Sequence, residues 1–347
     1  MRCELLHTSL PRGLDGGTGF VVAARTGGMP RTLSDALADL SGLSEAWPGA
    51  SDWDRTLRAT RAIEWRGEQA WVASVIRPCG LDHTGRGNRI AHHRLIDSEA
   101  RRRCDPVSLL LDHERWMARW QGEPRELDQE APLPELPGHA GPALAWKAAF
   151  GDAGVAAEMI ERAYRSGVGA WIVVPAGFDR LQLLHELAGL LPAENRWKRG
   201  WSTRPLRPVA DPAPVIAVVD EREPLVCAAP SNAAWVLVPR AGEPPSASEG
   251  MLRRARQGAA DRASAGAVTG GAQVAWQPPS RLAFPGAATP QATTPAAASP
   301  QQAAIRSEPA TIRVELEPAA GGRARWWLVG IGAAVLAVAA LLWRTLA

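Results

Sequence analysis

Ala170 to Val174 reads AWIVV and Val215 to Asp220 reads VIAVVD, and these two short runs decide how the chain folds. A continuous apolar run of this length, bounded by polar residues, is the pattern of a strand buried on both faces. Between them Phe178, Leu181, Leu184, Leu187 and Leu191 recur at helical spacing until Pro192 stops the pattern. A helix carrying the chain from one buried strand to the next implies a parallel crossover. Val155, Met159 and Ala163 mark the face of an earlier helix. The region 143–240 therefore reads as a small α/β middle domain.

Working outward to the N-terminus, the pattern changes to mixed strands and helices, which predicts an α+β domain over 1–128. Cys3 to Thr8 and Gly19 to Arg25 read as strands joined by the turn-rich PRGLDGG. Leu33, Ala36, Leu37 and Leu40 follow Thr32, a suitable N-cap. Ile63 to Arg66 and Gln69 to Arg77 form a predicted hairpin turning near Gly67, and Arg89 to Ile96 alternates like a further strand. Asp105 before Pro106 signals a helix start. The acidic, proline-rich Glu126 to Pro142 reads as the linker between the two units.

Toward the C-terminus, residues 242–322 turn into Ala, Pro, Gly, Ser, Thr and Gln, a composition that cannot bury enough apolar surface to offset ordering. The expectation is a disordered tether with a reach on the order of 50 Å. Two islands interrupt it: a basic helical stretch after Ser246 and Glu249, and the alternating TIRVELEP from Thr311 to Pro318. The final run, WWLVGIGAAVLAVAALLW over 326–343, carries no charge and no proline. Its 18 residues span about 27 Å as a helix, close to a hydrocarbon core of roughly 30 Å. It reads as a transmembrane helix with Trp326, Trp327 and Trp343 at the interfaces, Arg344 beyond, and Gly330 with Ala334 at a spacing suited to helix dimerisation. The expectation is a tail-anchored, single-pass protein of the bacterial inner membrane with its globular part cytoplasmic, a lipid bilayer partner and a homodimer through the span.

Composition narrows the chemistry. Among 347 residues, 39 basic against 36 acidic side chains leave a net charge of +3, too even to point to nucleic acid. Neither Lys147 nor Lys198 sits in a phosphate-binding loop, so the chain is not itself a P-loop GTPase or ATPase. Cys79, His83, His92, His93 and Cys104 are the densest polar cluster, but His92 and His93 on one strand face opposite ways and share no metal. A nucleophile reading joins Ser9 or Cys79 to His92 and Asp97 without a local activating group. Arg86, Asn88, Arg89 and His92 remain as the contact residues for a partner or an anion. No cofactor is expected.

Three stretches carry a family resemblance. His7 to Pro30, HTSLPRGLDGGTGFVVAARTGGMP, resembles the opening of the bacterial GTPase-associated protein family in its second type of N-terminal domain. Gly85 to Ile96, GRGNRIAHHRLI, is similar to that family's later strand, and Leu191 to Pro205, LPAENRWKRGWSTRP, resembles its middle domain. Arg204 and Pro205 stand where the family has aromatic residues after Ser202 and Thr203. The resemblance implies a non-enzymatic partner of a GTPase in conflict or stress signalling. With the anchor, the expected function is a membrane-tethered adaptor or scaffold docking a GTPase. The alternative is a tethered hydrolase or nucleotide-binding enzyme using the face around His92.

Overall fold

Residues 3–43, 46–129, 132–206, 213–224 and 234–259 are described in a computed structural model. The chain divides into two units, 1–270 and 271–347, and every described residue lies in the first. Strands β1 (Cys3–Leu10), β2 (Gly19–Thr26), β3 (Leu57–Trp65), β4 (Glu68–Leu81), β5 (Gly87–Ile96), β6 (Arg125–Leu127), β7 (Gly169–Val174), β8 (Gly200–Ser202), β9 (Val215–Asp220) and β10 (Ala234–Leu237) form one sheet. Their order is β10-β7-β9-β8-β3-β4-β5-β1-β2-β6.

The sheet has two halves with different pairing. β3, β4, β5, β1 and β2 run antiparallel in succession. The β3–β4 hairpin closes through Arg66 at φ 56° and Gly67 at φ 73°, the two left-handed positions that match a tight turn to strand twist. β8, β9, β7 and β10 are parallel, as buried runs such as VIAVVD require. The halves meet where β8 pairs antiparallel with β3, at Ala59 with Ser202 and Thr60 with Trp201. Thr203 ties the joint: its N–H donates to the Arg58 carbonyl, and its hydroxyl accepts from the Arg58 N–H, both at 3.0 Å. The two units read separately from sequence thus share one continuous sheet.

Helices α1 (Arg31–Asp39), α2 (Asp52–Arg55), α3 (Ser98–Arg103), α4 (Pro106–Leu111), α5 (Leu144–Phe150), α6 (Gly154–Arg165), α7 (Arg180–Gly189), α8 (Ala193–Arg196) and α9 (Glu249–Gln257) complete the described elements, with a 3-10 turn at His113–Arg115. The largest apolar cluster joins Trp71, Leu109 and Leu110 to Trp146, Leu184, Trp197 and Trp201, so it crosses the joint. The rings of Trp71 and Trp197 meet edge to face at 5.4 Å. Three buried indole N–H groups here are satisfied: Trp146 donates to the Leu183 carbonyl, Trp197 to that of Cys104 and Trp201 to that of Arg196. A second cluster, Leu5, Met29, Leu33, Leu37 and Val72, lies under α1.

Several expectations change. The Glu126–Pro142 linker is packed: Leu133 is buried, and the Leu136 carbonyl accepts from the Asp105 N–H. A Cβ at Gly138 would lie 1.7 Å from Arg196 Nη1, so the chain threads beside the buried Asp105–Arg196 ion pair. The N-cap of α1 is Pro30 rather than Thr32. The tether does not begin at Gly242. The basic island forms α9, which docks on α6, with its Ala255 buried and Arg256 paired to Asp152. Its N-cap is Ser248, whose hydroxyl bonds Glu161 instead of closing a capping box from Ser246.

The membrane reading is corrected. No helix among the described residues is long and apolar enough to cross a membrane. Residues 326–343, with Trp326, Trp327, Gly330, Ala334, Trp343 and Arg344, lie outside the described residues, as does Thr311 to Pro318. No described helix supports the tail anchor, the inner-membrane placement, the lipid partner or the transmembrane dimer.

Candidate functional site

The residues singled out from sequence separate into two environments. Arg86, Asn88 and Arg89 line an open cleft of about 790 Å³ at the tip of the β4–β5 hairpin, together with Phe20, Arg55 and Asp82. His92 does not reach it. Its ring is buried, accepts from the Met117 N–H at 3.0 Å and pairs with Glu4 on β1. Burial keeps this imidazole neutral, holding its pKa below the ordinary value against the pull of Glu4.

The cleft's glycine-rich loop already holds an anion of its own. Asp82 Oδ1 accepts from the Thr84 N–H (2.8 Å), the Thr84 hydroxyl (2.6 Å) and the Arg86 N–H (3.0 Å), and Oδ2 accepts from the Ser9 hydroxyl (3.0 Å). These donors, the Thr84 hydroxyl above all, hold its carboxyl well below the usual range. The amide cradle that would receive an external anion is filled from within. Asn88 is likewise a joint between strands, accepting from the Ser9 and Arg89 amides and the Thr8 hydroxyl. Arg89 lies over the Phe20 ring at 4.4 Å. What faces outward is the guanidinium of Arg86.

The nucleophile constellation does not form. Ser9 donates to Asp82, Cys79 lies 3.9 Å from the Thr8 hydroxyl, and Asp97 caps α3 by accepting from the Ala100 N–H. His93 points to the other face of the sheet, between the hydroxyls of Ser41 and Ser74 at 2.9 and 2.8 Å. Elsewhere Ser108 Oγ sits 3.0 Å from His185 Nε2, which has the look of a Ser–His pair. Ser108, however, lies 2.7 Å from the Pro137 carbonyl and 3.2 Å from an Asp105 oxygen, both acceptors. The hydroxyl proton goes to one of these, so His185 donates to Ser108 and is not placed as its base. Among the described residues no group of His, Cys, Asp and Glu is arranged to hold a metal ion.

Sequence reasoning passed over α2, a four-residue helix that gathers several polar contacts. Ser51 and Asp54 form a reciprocal capping box at its start. Asp54 pairs at 3.3 Å with Arg180 of α7, whose other nitrogen lies 3.3 Å from Glu223. Glu223 also takes a two-pronged bond from the fully buried Arg204, at 2.7 and 3.0 Å, and Arg204 donates onward to the Arg55 carbonyl. On the other side of α2, Trp53 is 41% exposed and carries the Arg58 guanidinium over its ring at 4.1 Å. The His113 ring meets Trp53 at 5.8 Å. Arg77 donates to the Trp116 and Met117 carbonyls; burial first and then Arg77 lower the pKa of Arg58, and burial, then Arg58 and Arg77, lower that of His113.

Residues 1–148 match the family model described as GTPase-associated protein 1, N-terminal domain type 2. The match holds both the cleft residues Arg86, Asn88 and Arg89 and the Trp53–Arg58–His113 surface, and it ends within α5. No curated protein and no solved structure matches the chain.

Proposed function

We propose that this protein works as a docking partner of a GTPase, through binding and not through a reaction of its own. The observation that carries the reading is the match of residues 1–148 to a GTPase-associated domain. The geometry is in keeping with it: His92, Asp97, Ser9 and Cys79 are engaged in separate structural bonds, leaving no convergent acid, base and nucleophile among them. Exposed in their place is the aromatic Trp53, a side-chain type that anchors protein interfaces.

The test is to express the tagged full-length chain in its native host and identify what co-purifies. The captured GTPase is then purified, and its affinity for the chain measured with GDP and with a non-hydrolysable GTP analogue. Direct binding that changes with the nucleotide supports the reading. If no GTPase binds the purified chain in either nucleotide state, the reading is overturned.

A further inference from the structure

Arg58 poses a problem that the fold does not solve. Its side chain stands on β3 with only 5% of the residue exposed, and among the described residues its Nε has no hydrogen-bond partner. A guanidinium buried without a carboxylate is costly, which is why buried arginines are ordinarily paired. Two nearby arginines obey that rule: Arg180 and Arg204 both reach Glu223. Arg58 instead has cationic neighbours. Burial first, then Arg77 and Arg180, press its pKa down to about 10, with only Asp179 acting in the opposite sense. The protein thus gathers positive charge at a point that, among the described residues, lacks an ion pair of its own.

That point lies behind an exposed surface. The Arg58 guanidinium rests on Trp53, and Trp53 touches His113. Met117, whose carbonyl is held by Arg77, is 39% exposed. An exposed tryptophan and methionine around a desolvated arginine is the composition of an interface centre, where aromatic and Arg side chains supply most of the binding energy. An acidic group arriving here would meet a cation already stripped of water and held in place by stacking, so it gains a charge-assisted bond without the full ordering cost.

We propose that the Trp53–Arg58–His113–Met117 surface is where the protein partner docks, by an acidic segment whose carboxylate pairs with Arg58 while apolar atoms cover Trp53 and Met117. The occupant is a protein segment, because the unmatched charge calls for an anion and the exposed indole and thioether call for apolar contact beside it. Every residue of the surface falls within the segment matched to the GTPase-associated domain. The inference rests on the docking reading above and names its place on the molecule.

The experiment compares full-length wild-type chain with Arg58→Met, Trp53→Ser and, as a control in the cleft, Arg86→Ala. Each is tested by calorimetry against the purified protein captured by the wild type. Trp53 lies at the surface, so its variant keeps the test valid if Arg58→Met fails to fold, and thermal unfolding of all three checks this. The expected result is a loss of at least about tenfold in affinity for Arg58→Met and Trp53→Ser, with little change for Arg86→Ala. A GTPase that binds both variants as tightly as wild type overturns this surface and leaves the docking function standing. A partner that is not a GTPase but loses tenfold with both variants supports the surface and overturns the GTPase reading. Failure of the wild-type chain to bind any captured protein directly overturns both.

Discussion

Arg204 and Arg58 are both buried arginines near the joint of the sheet, and they differ in what stands opposite them. Arg204 meets Glu223 with two nitrogens and the Arg55 carbonyl with a third contact. Arg58 meets the face of Trp53 and the fields of Arg77 and Arg180. The first is internal cement between the antiparallel and parallel halves. The second is a charge whose partner lies outside the fold. In an arginine-rich chain, residue type alone does not tell the two apart; the opposing group does.

The comparison breaks most easily at Glu223. Replacing it by alanine leaves Arg204 and Arg180 without their shared carboxylate, and the expected cost is about 3–5 kcal/mol of unfolding free energy, read by urea denaturation. A change below about 1 kcal/mol would show that Arg204 is no better partnered than Arg58. Next in size is pH. Burial lowers the pKa of His7 and of His185 to about 4 each, and the unfolded chain titrates them near 6.5. Between these values the unfolded state binds more protons, so stability is greatest above pH 6.5 and falls as pH drops toward 4. The expected slope is about 1 kcal/mol per pH unit for each histidine. His7→Asn should flatten it, and an unchanged profile would remove this histidine from the account.

A smaller effect is expected at Glu186, whose buried carboxylate accepts from the Ala145 and Trp146 amides at the start of α5. Glu186→Ala should cost about 1–3 kcal/mol by leaving those donors unmet, and amide exchange at Ala145 and Trp146 should quicken. The smallest effect is the sharpest. Arg58→Met should change stability by less than about 1 kcal/mol, because it removes no ion pair and keeps an apolar stem against Trp53. A loss comparable to Glu223→Ala would mean that Arg58 is structural after all.

Much of the fold was legible because its signals are local. The turn-rich PRGLDGG marked β1 and β2 on either side of it, alternation marked β5, the turn at Gly67 marked the β3–β4 hairpin, and Asp105 with Pro106 marked the start of α4, where Asp105 does cap the helix. The runs AWIVV and VIAVVD became neighbouring parallel strands. What stayed hidden depends on distant partners. β8 is three residues long and becomes a strand by pairing with β3 and β9, while β10 pairs with β7 across more than sixty residues of chain. At the site, only the geometry shows Asp82 filling the amide cradle beside Arg86. The tryptophan–arginine surface joins Trp53, Arg58, Arg77 and His113 from four separate elements, which no spacing in the sequence brings together.

The way β8 borders β3 also decides how this protein can be cut. A fragment ending at residue 148, where the family match stops, loses β8 and with it the strand that borders β3. The indole of Trp71 loses the ring of Trp197, and β3 loses its backbone partners at Arg58, Ala59 and Thr60. Such an edge recruits a second copy of itself, so the recombinant fragment is destined for inclusion bodies rather than for a binding assay. The ten strands of the sheet all lie within residues 3–237, and a stretch reaching 259 also keeps α9 docked on α6.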